Sequence, residues 1–530
     1  METSASFEAR SAPLPYPTTR KEQRFLAQSV LRKRLAPSHN DHRDPALGSL
    51  EFTYQRTWKE LPCRLSNPVV KKSAELLSLK SGSAVAFCCM SDNVVSPRSG
   101  PFLGTAFSLL SGIWSRVRTD MFWIVIVAIT VRLLVIFVFH TYRFGPGQPY
   151  NFGYEMGRIG RSIAQGNGFG NIYGGLTGPT AYEPPLYPYI VGGVFKLCGV
   201  YSPLSALVLL SINAVLSALT CIPIGHIAKR CFGETTAVGS AWTWAFYPFA
   251  IYWSTTWIWE TVLSTMLLAV LFWVTLAMDE YDGLKPWIWF GFVWGITALS
   301  NATLVSFLPA SGLWAARQHV KRNKPWLLGA VVASLLFLAC LTPWQIRNYQ
   351  TFHHLFFVRD DFGMNLRVGN GPEAKGAWLK SQIPSQNPAE FARYVSMGET
   401  AYAAAQGHQA LQFIKQNPGR FIVLCVKRFL YYWGGNPRPS VFHVATPANL
   451  FEIAFESATS AICFWGLIRS VKKRVPGAWL FFWLILLYPA VYYITFPNLR
   501  YRQPLEPFII ILGISLTAAK AGASLQTTPR

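Results

Sequence analysis

The stretch MFWIVIVAITVRLLVIFVFH, residues 121–140, decides the fold. Arg132 is its one charged residue, and as an α-helix the stretch extends about 30 Å, the thickness of a bilayer's hydrocarbon core. Arg116 and Arg118 stand just before it and mark its start as cytoplasmic, because short basic flanks stay on that side. Ten more apolar runs follow, at roughly 185–201, 203–226, 237–256, 259–278, 286–302, 303–316, 325–346, 449–468, 477–497 and 504–519. Composition points the same way: 51% of the 530 residues are hydrophobic and 14% are charged, where a soluble chain would carry roughly 25% charged. The expected fold is therefore an all-α polytopic membrane protein of about eleven transmembrane helices, and a soluble enzyme is excluded.

The net charge of +23 sits in particular places. Residues 1–120 hold 17 Lys and Arg against 10 Asp and Glu, and residues 1–89 are rich in Ser, Pro and Arg with no sustained period. This part reads as a disordered basic cytoplasmic tail or, alternatively, as an extension upstream of a start at Met90 or Met121. The other basic residues lie mostly in short loops, so topology and anionic lipid headgroups account for the charge better than nucleic acid does. RQHVKRNK (317–324) and RSVKKR (469–474) are the strongest cytoplasmic markers. They divide the chain into a transmembrane core at 121–346 containing a first external loop at 142–184, an external loop with juxtamembrane helices at 347–447, C-terminal transmembrane helices at 448–519 and a tail at 520–530. Within the second loop, RFIVLCVKRFLYYWGG (420–435) is amphipathic and is expected to lie along the membrane surface, with Lys427 and Arg428 at its centre. If both 185–201 and 203–226 crossed, Lys229 and Arg230 would end outside, so one of those runs is expected to be re-entrant or short. The nine cysteines show no zinc or redox spacing and read as small packing residues.

Fifteen carboxylates lie beyond residue 120, and any carboxylate chemistry must use them. Glu155 and Glu183 are the two in the first external loop, where Tyr154–Gln165 is helix-compatible and brings Tyr154, Arg158 and Arg161 together. A carboxylate there serves as a general base, a metal contact or a solvated loop charge. Arg132, mid-span, faces a fixed partner inside the bundle or belongs to the site. Glu260 opens a span, where the helix dipole favours it. Arg347, emerging after Pro343 and Trp344, either snorkels or holds an anion. His353–His354 and Asp360–Asp361 are adjacent pairs whose side chains point apart, which disfavours a metal there. Arg500, Arg502 and Glu506 lie at the outer mouth of the last span, where the positive-inside rule disfavours a basic cluster unless an anionic ligand calls for it.

Taken in order, the acidic first loop (Glu155) followed by AQGNGF, EPPLYPYI (183–190), TPWQIRNY (342–349), GMNLRVGN (363–370) and RYRQPLEP (500–507) resemble the membrane-integral GT-C glycosyltransferases, especially protein-mannosyltransferase-like (family 39) and rhizobial galacturonosyltransferase-like members. The resemblance covers about residues 121–519. It implies a GT-C-type helical bundle in the bacterial inner membrane, with a periplasmic or external cavity that takes a polyprenyl-phosphate-linked sugar donor and passes a hexose or pentose to a lipid, glycan or protein acceptor. It further implies Glu155 as the catalytic carboxylate, where many relatives carry Asp, and Arg158, Glu183, Arg347, Arg500 and Arg502 as substrate-binding residues, with Arg347, Arg500 and Arg502 holding the departing phosphate. Trp257, Trp259 and Tyr182 either stack on sugar faces or form the interface belt. Metal use varies among such families, and no metal or other cofactor is assigned. The competing readings are a transporter or flippase of lipid-linked saccharides and a non-catalytic membrane scaffold, although no pair of matching broken helices supports transport.

Overall fold

In the computed structural model, residues 120–144, 149–437 and 446–525 are described; the expected N-terminal tail lies outside them. Every apolar run of the described chain is helical. Met121–Val138 is capped by Asp120, whose side chain accepts from the Phe122 N–H at 2.9 Å. Pro203–Leu219 continues into Cys221–Phe232, and the long helices Leu327–Phe352 and Pro447–Lys472 follow later. These four are long and apolar enough to cross a membrane by length and composition. Leu186–Cys198, Thr261–Ala277 and Ala478–Ile494 are shorter apolar helices.

Prolines explain part of the difference from the eleven runs read in the sequence. Run 237–256 is two helices, Glu234–Ala245 and Pro248–Thr256, because Pro248 donates no N–H and starts a new first turn. Run 477–497 breaks at Pro489, and 303–316 opens as the 3₁₀ turn Ala302–Phe307 before Leu308–Lys321. The break at Pro248 also explains the mid-span charge. Arg132 is fully buried and donates to the Ala245 carbonyl at 3.0 Å, the Trp244 carbonyl at 3.2 Å, Ser217 Oγ at 3.0 Å and the Ala128 carbonyl at 3.0 Å. Both carbonyls lie at the C-terminal end of Glu234–Ala245, so the arginine caps that end from a neighbouring helix. Its role is structural.

Thr261–Ala277 runs through the centre of the core. The Phe272 ring lies 4.7 Å from Phe481, 4.9 Å from Phe508 and 6.0 Å from Phe307. This helix holds its two flanks, Glu260 and Asp279, about 25 Å apart. At the Asp279 flank, Arg230 pairs with Asp279 and Glu280, Arg322 reaches Asp279 at 3.4 Å and Lys324 pairs with Asp282. Arg230 therefore shares one end of the bundle with the 317–324 loop. Leu186–Cys198, about 20 Å long, is the run too short to span a hydrocarbon core unaided.

The amphipathic helix at 420–435 is present as Pro418–Gly434 with Lys427 exposed, but Arg428 departs from the surface expectation. It is fully buried and donates to the carbonyls of Tyr493 at 3.1 Å, Ile494 at 3.0 Å and Gly369. It fastens this helix to the C-terminal end of Ala490–Ile494, whose last carbonyls have no partner within the helix. Among the described residues there is no strand, only an isolated bridge between Gly170 and Pro179. The six described cysteines are free, with Cys221, Cys231 and Cys463 buried.

Candidate active site

The first loop forms the helix Glu155–Ala164 and is held against the start of Thr261–Ala277 by its backbone. The Ile258 N–H donates to the Asn151 carbonyl at 2.9 Å. Gly153 sits at φ +75°, and a Cβ there would fall 2.2 Å from the Ile258 carbonyl oxygen, so only glycine allows the contact. This docking sets Glu155 beside Trp259 and Glu260. The rest of the loop, Phe169–Thr180, is stapled by the second external segment. Arg347 donates to the Phe169 carbonyl at 2.7 Å and the Thr180 carbonyl at 2.8 Å. Glu399 accepts from the Ala181 N–H at 2.5 Å, Tyr394 Oη at 2.8 Å and Thr180 Oγ1.

Two adjoining cavities lie under this loop and share a wall of Glu183, Arg359, Asn365, Phe496, Arg500 and Tyr501. The larger, about 470 Å³, is also lined by Glu155, Tyr182 and the tryptophans 253, 257 and 259. The smaller, about 240 Å³, adds Glu260, Asp361, Asn301 and Tyr492. The region thus combines four carboxylates, two guanidiniums and an aromatic wall, the lining expected of a polar small-molecule site.

The two arginines differ in what they have left to offer. Arg359 is committed: it pairs with Asp361 at 2.6 Å and Glu183 at 3.4 Å and donates from Nε to the Tyr182 carbonyl at 2.7 Å. Arg500 lies 3.5 Å over the Trp259 ring, and its Nε and Nη1 are buried without a hydrogen-bond acceptor among the described residues. Glu155 Oε2 and Glu260 Oε2 are likewise buried without a donor. Buried polar atoms are rarely left this way, because each costs about 1–3 kcal/mol. Three orphans facing two shared cavities are what a polar ligand would satisfy.

Burial pushes the Glu155 carboxyl above its ordinary value, while the charges of Arg500 and Arg158 pull it back. For Arg500, burial works against the charge, and Tyr501, Glu260 and Glu155 more than offset it, so its guanidinium stays charged. Glu183 is also raised by burial against the pull of Arg359, and the same holds for Asp361.

Of the residues expected at the site, Glu155, Glu183 and Arg500 line the cavities. Arg158 packs 4.0 Å over the Tyr154 ring and donates to the Ile172 carbonyl at 3.3 Å, so it braces the loop behind Glu155. Arg347 is not among the lining residues of the two cavities; its Nη1 and Nη2 donate to the Thr180 and Phe169 carbonyls and to Asn348 Oδ1. Arg502 is also placed elsewhere. It is buried, pairs with Glu506 at 2.8 Å and donates to Thr459 Oγ1 at 2.7 Å and the Glu456 carbonyl at 3.1 Å. Arg359 was not singled out in the sequence, although its place beside two Asp in RDD (359–361) was a usable signal. Glu260 is more than a helix-start charge. Asp361 pairs with Arg359, and among the described residues no group of three or more His, Cys, Asp or Glu is gathered for a metal ion.

Residues 182–344 match the family model described as dolichyl-phosphate-mannose-protein mannosyltransferase. The matched part contains Glu183 and Glu260 but not Glu155, Arg359 or Arg500. Among solved structures, the chain is similar to the oligosaccharyltransferase AglB from Archaeoglobus fulgidus in complex with an inhibitory peptide and a dolichol-phosphate, at 14% identity and a TM-score of 0.44 over 77% of this chain and 52% of that one. It is also similar to ArnT from Cupriavidus metallidurans bound to undecaprenyl phosphate, at 13% identity and a TM-score of 0.32 over 77% of this chain and 81% of that one. The chain thus spans about half the length of the oligosaccharyltransferase. No curated protein matches the sequence.

Proposed function

We propose that the protein is a membrane glycosyltransferase of the GT-C kind, which moves a sugar from a polyprenyl-phosphate donor to an acceptor hydroxyl in the cavities under the first loop. The observation that carries this reading is the orphaned trio of Arg500, Glu155 and Glu260 on two cavities that share Arg500. The order of motifs from Glu155 to RYRQPLEP and the family model over 182–344 support it.

In this reading the acceptor oxygen attacks the anomeric carbon and its proton passes to Glu155. A carboxyl raised by burial is better matched to that task near neutral pH than an ordinary one. As the sugar–phosphate C–O bond breaks, the bonding pair and the negative charge go to the lipid phosphate. Arg500, whose Nε and Nη1 have no acceptor among the described residues, stabilises that charge. Arg359 positions Glu183 and Asp361 around the sugar and does not act as the phosphate clamp. The tryptophan wall gives the sugar and the first isoprene units an apolar face. The cavities face the side opposite the basic loops, the periplasm in a bacterial inner membrane.

The test is consumption of polyprenyl-phosphate sugar by the purified protein in reconstituted vesicles, with and without acceptor. Acceptor-dependent loss of donor and gain of glycosylated acceptor supports transfer. Donor that crosses the bilayer unchanged would instead identify a flippase.

A further inference from the structure

At the end of the bundle away from Glu155, a cavity of about 730 Å³ opens between Leu308–Lys321 and the segment 474–487. Its two walls are graded in the same sense. Along Leu308–Lys321 the lining passes from Leu313 and Trp314 to Arg317 and Lys321, spacings that keep these side chains on one helical face. On the other wall Trp479, Trp483 and Leu487 recur every fourth residue, and Arg474 precedes them at the turn. That stripe is about 12 Å long and leads from the basic turn into the apolar bundle.

The basic end has charge to offer. Asp279, the carboxylate of the lining, is already held by Arg230 and Arg322. Arg317, Lys321 and Arg474 form no ion pair among the described residues. Arg474 is moreover kept at φ +52°, a left-handed conformation that non-glycine residues seldom adopt.

We propose that this groove binds one anionic phospholipid, with its phosphate headgroup on Arg317, Lys321 and Arg474 and its acyl chains along Trp483 and Leu487. Charge complementarity favours an anionic over a zwitterionic headgroup, and the apolar stripe is what a free phosphate would leave unused. Tryptophans between the basic and apolar halves suit the boundary between headgroups and chains. The site stands independently of the transfer reaction, because it lies across the bundle from the Glu155 cavities.

The experiment is native mass spectrometry of the full-length protein released from mixed micelles of phosphatidylglycerol and phosphatidylcholine. The wild type should retain one phosphatidylglycerol in preference to phosphatidylcholine. Arg317→Gln with Arg474→Gln should lower that preference by about 30-fold, on the order of fivefold for each charge near a lipid surface. The exposed single substitution Lys321→Gln should lower it by about fivefold, which keeps the test alive if the double variant folds poorly. Lys229→Gln with Lys473→Gln, outside the groove, should leave it unchanged. Equal uptake of the two lipids by the wild type, an equal fall in both double variants, or displacement of the lipid by millimolar inorganic phosphate would overturn the proposal.

Discussion

The two ends of the Thr261–Ala277 helix treat charge in opposite ways. At the Asp279 end the carboxylates are matched: Asp279, Glu280 and Asp282 face Arg230, Arg322 and Lys324, and Glu234 meets Lys229 at 2.7 Å. These groups are largely in reach of water, where such pairs contribute little and cost little. At the Glu260 end the charges are buried and the matching is incomplete. Arg359 is paired with Glu183 and Asp361, yet Arg500, Glu155 and Glu260 keep buried atoms with no partner among the described residues. A bundle selected only for stability would have no reason to retain them, since apolar residues of similar size would pack there without the desolvation cost. The contrast therefore marks a candidate site better than charge density does: the cations left unpaired at the basic end, Arg317, Lys321 and Arg474, are exposed to solvent or lipid, whereas the unpaired groups at the cavity end are buried.

The largest effect is expected at the carboxylate proposed as the base. Glu155→Gln keeps the shape and removes the base, so transfer should fall by about 10²–10⁴-fold with little change in protein level or donor affinity. A variant that loses expression but keeps its specific activity would make Glu155 a loop anchor and move attention to Glu183. Next comes Arg502, which carries charge into the same region without facing the cavities. Arg502→Ala leaves Glu506 buried without its ion-pair partner and should cost about 3–5 kcal/mol in thermal unfolding. Donor affinity of the folded fraction should stay near normal; a selective loss of donor binding would return Arg502 to the phosphate clamp.

A smaller effect concerns the staple between the external segments. Burial pushes Glu399 from 4.5 up to about 7, against hydrogen bonds from Ala181, Thr180 and Tyr394 that favour its charged form. Because the folded protein holds this proton more tightly than the unfolded chain, the contribution is fully present below about pH 4.5 and is lost as pH rises through about 7. Glu399→Gln should remove that component, so the melting temperatures of variant and wild type should diverge between pH 5 and pH 8 in the variant's favour. Parallel pH profiles would show that the staple does not titrate.

The helices were legible in the sequence because apolar runs long enough to cross a bilayer have few other solutions. The break at Pro248 could be read from the proline, but not that Arg132, over a hundred residues earlier, caps the helix end before it. That Glu155, Glu183 and Arg500 would stand together could be expected from the first loop and from RYRQPLEP, and all three line the cavities. The sequence did not separate one arginine's surroundings from another's. Arg347, Arg500 and Arg502 look alike as charges near a span end, yet one meets loop carbonyls, one a tryptophan face and one a glutamate a helical turn away. Which acceptor a guanidinium meets is decided by tertiary packing, and no local pattern encodes it.

The most direct measurement compares the two ends in one assay. Arg500→Gln and Arg230→Gln each remove one guanidinium, the first from the cavity wall and the second from the matched cluster. In reconstituted vesicles supplied with polyprenyl-phosphate sugar and acceptor, Arg500→Gln should lower transfer by about 10²-fold or more at unchanged protein level, and Arg230→Gln should stay within a few-fold of the wild type. Equal losses in the two variants, or normal transfer by Arg500→Gln, would contradict the assignment of the cavity end as the site of sugar transfer.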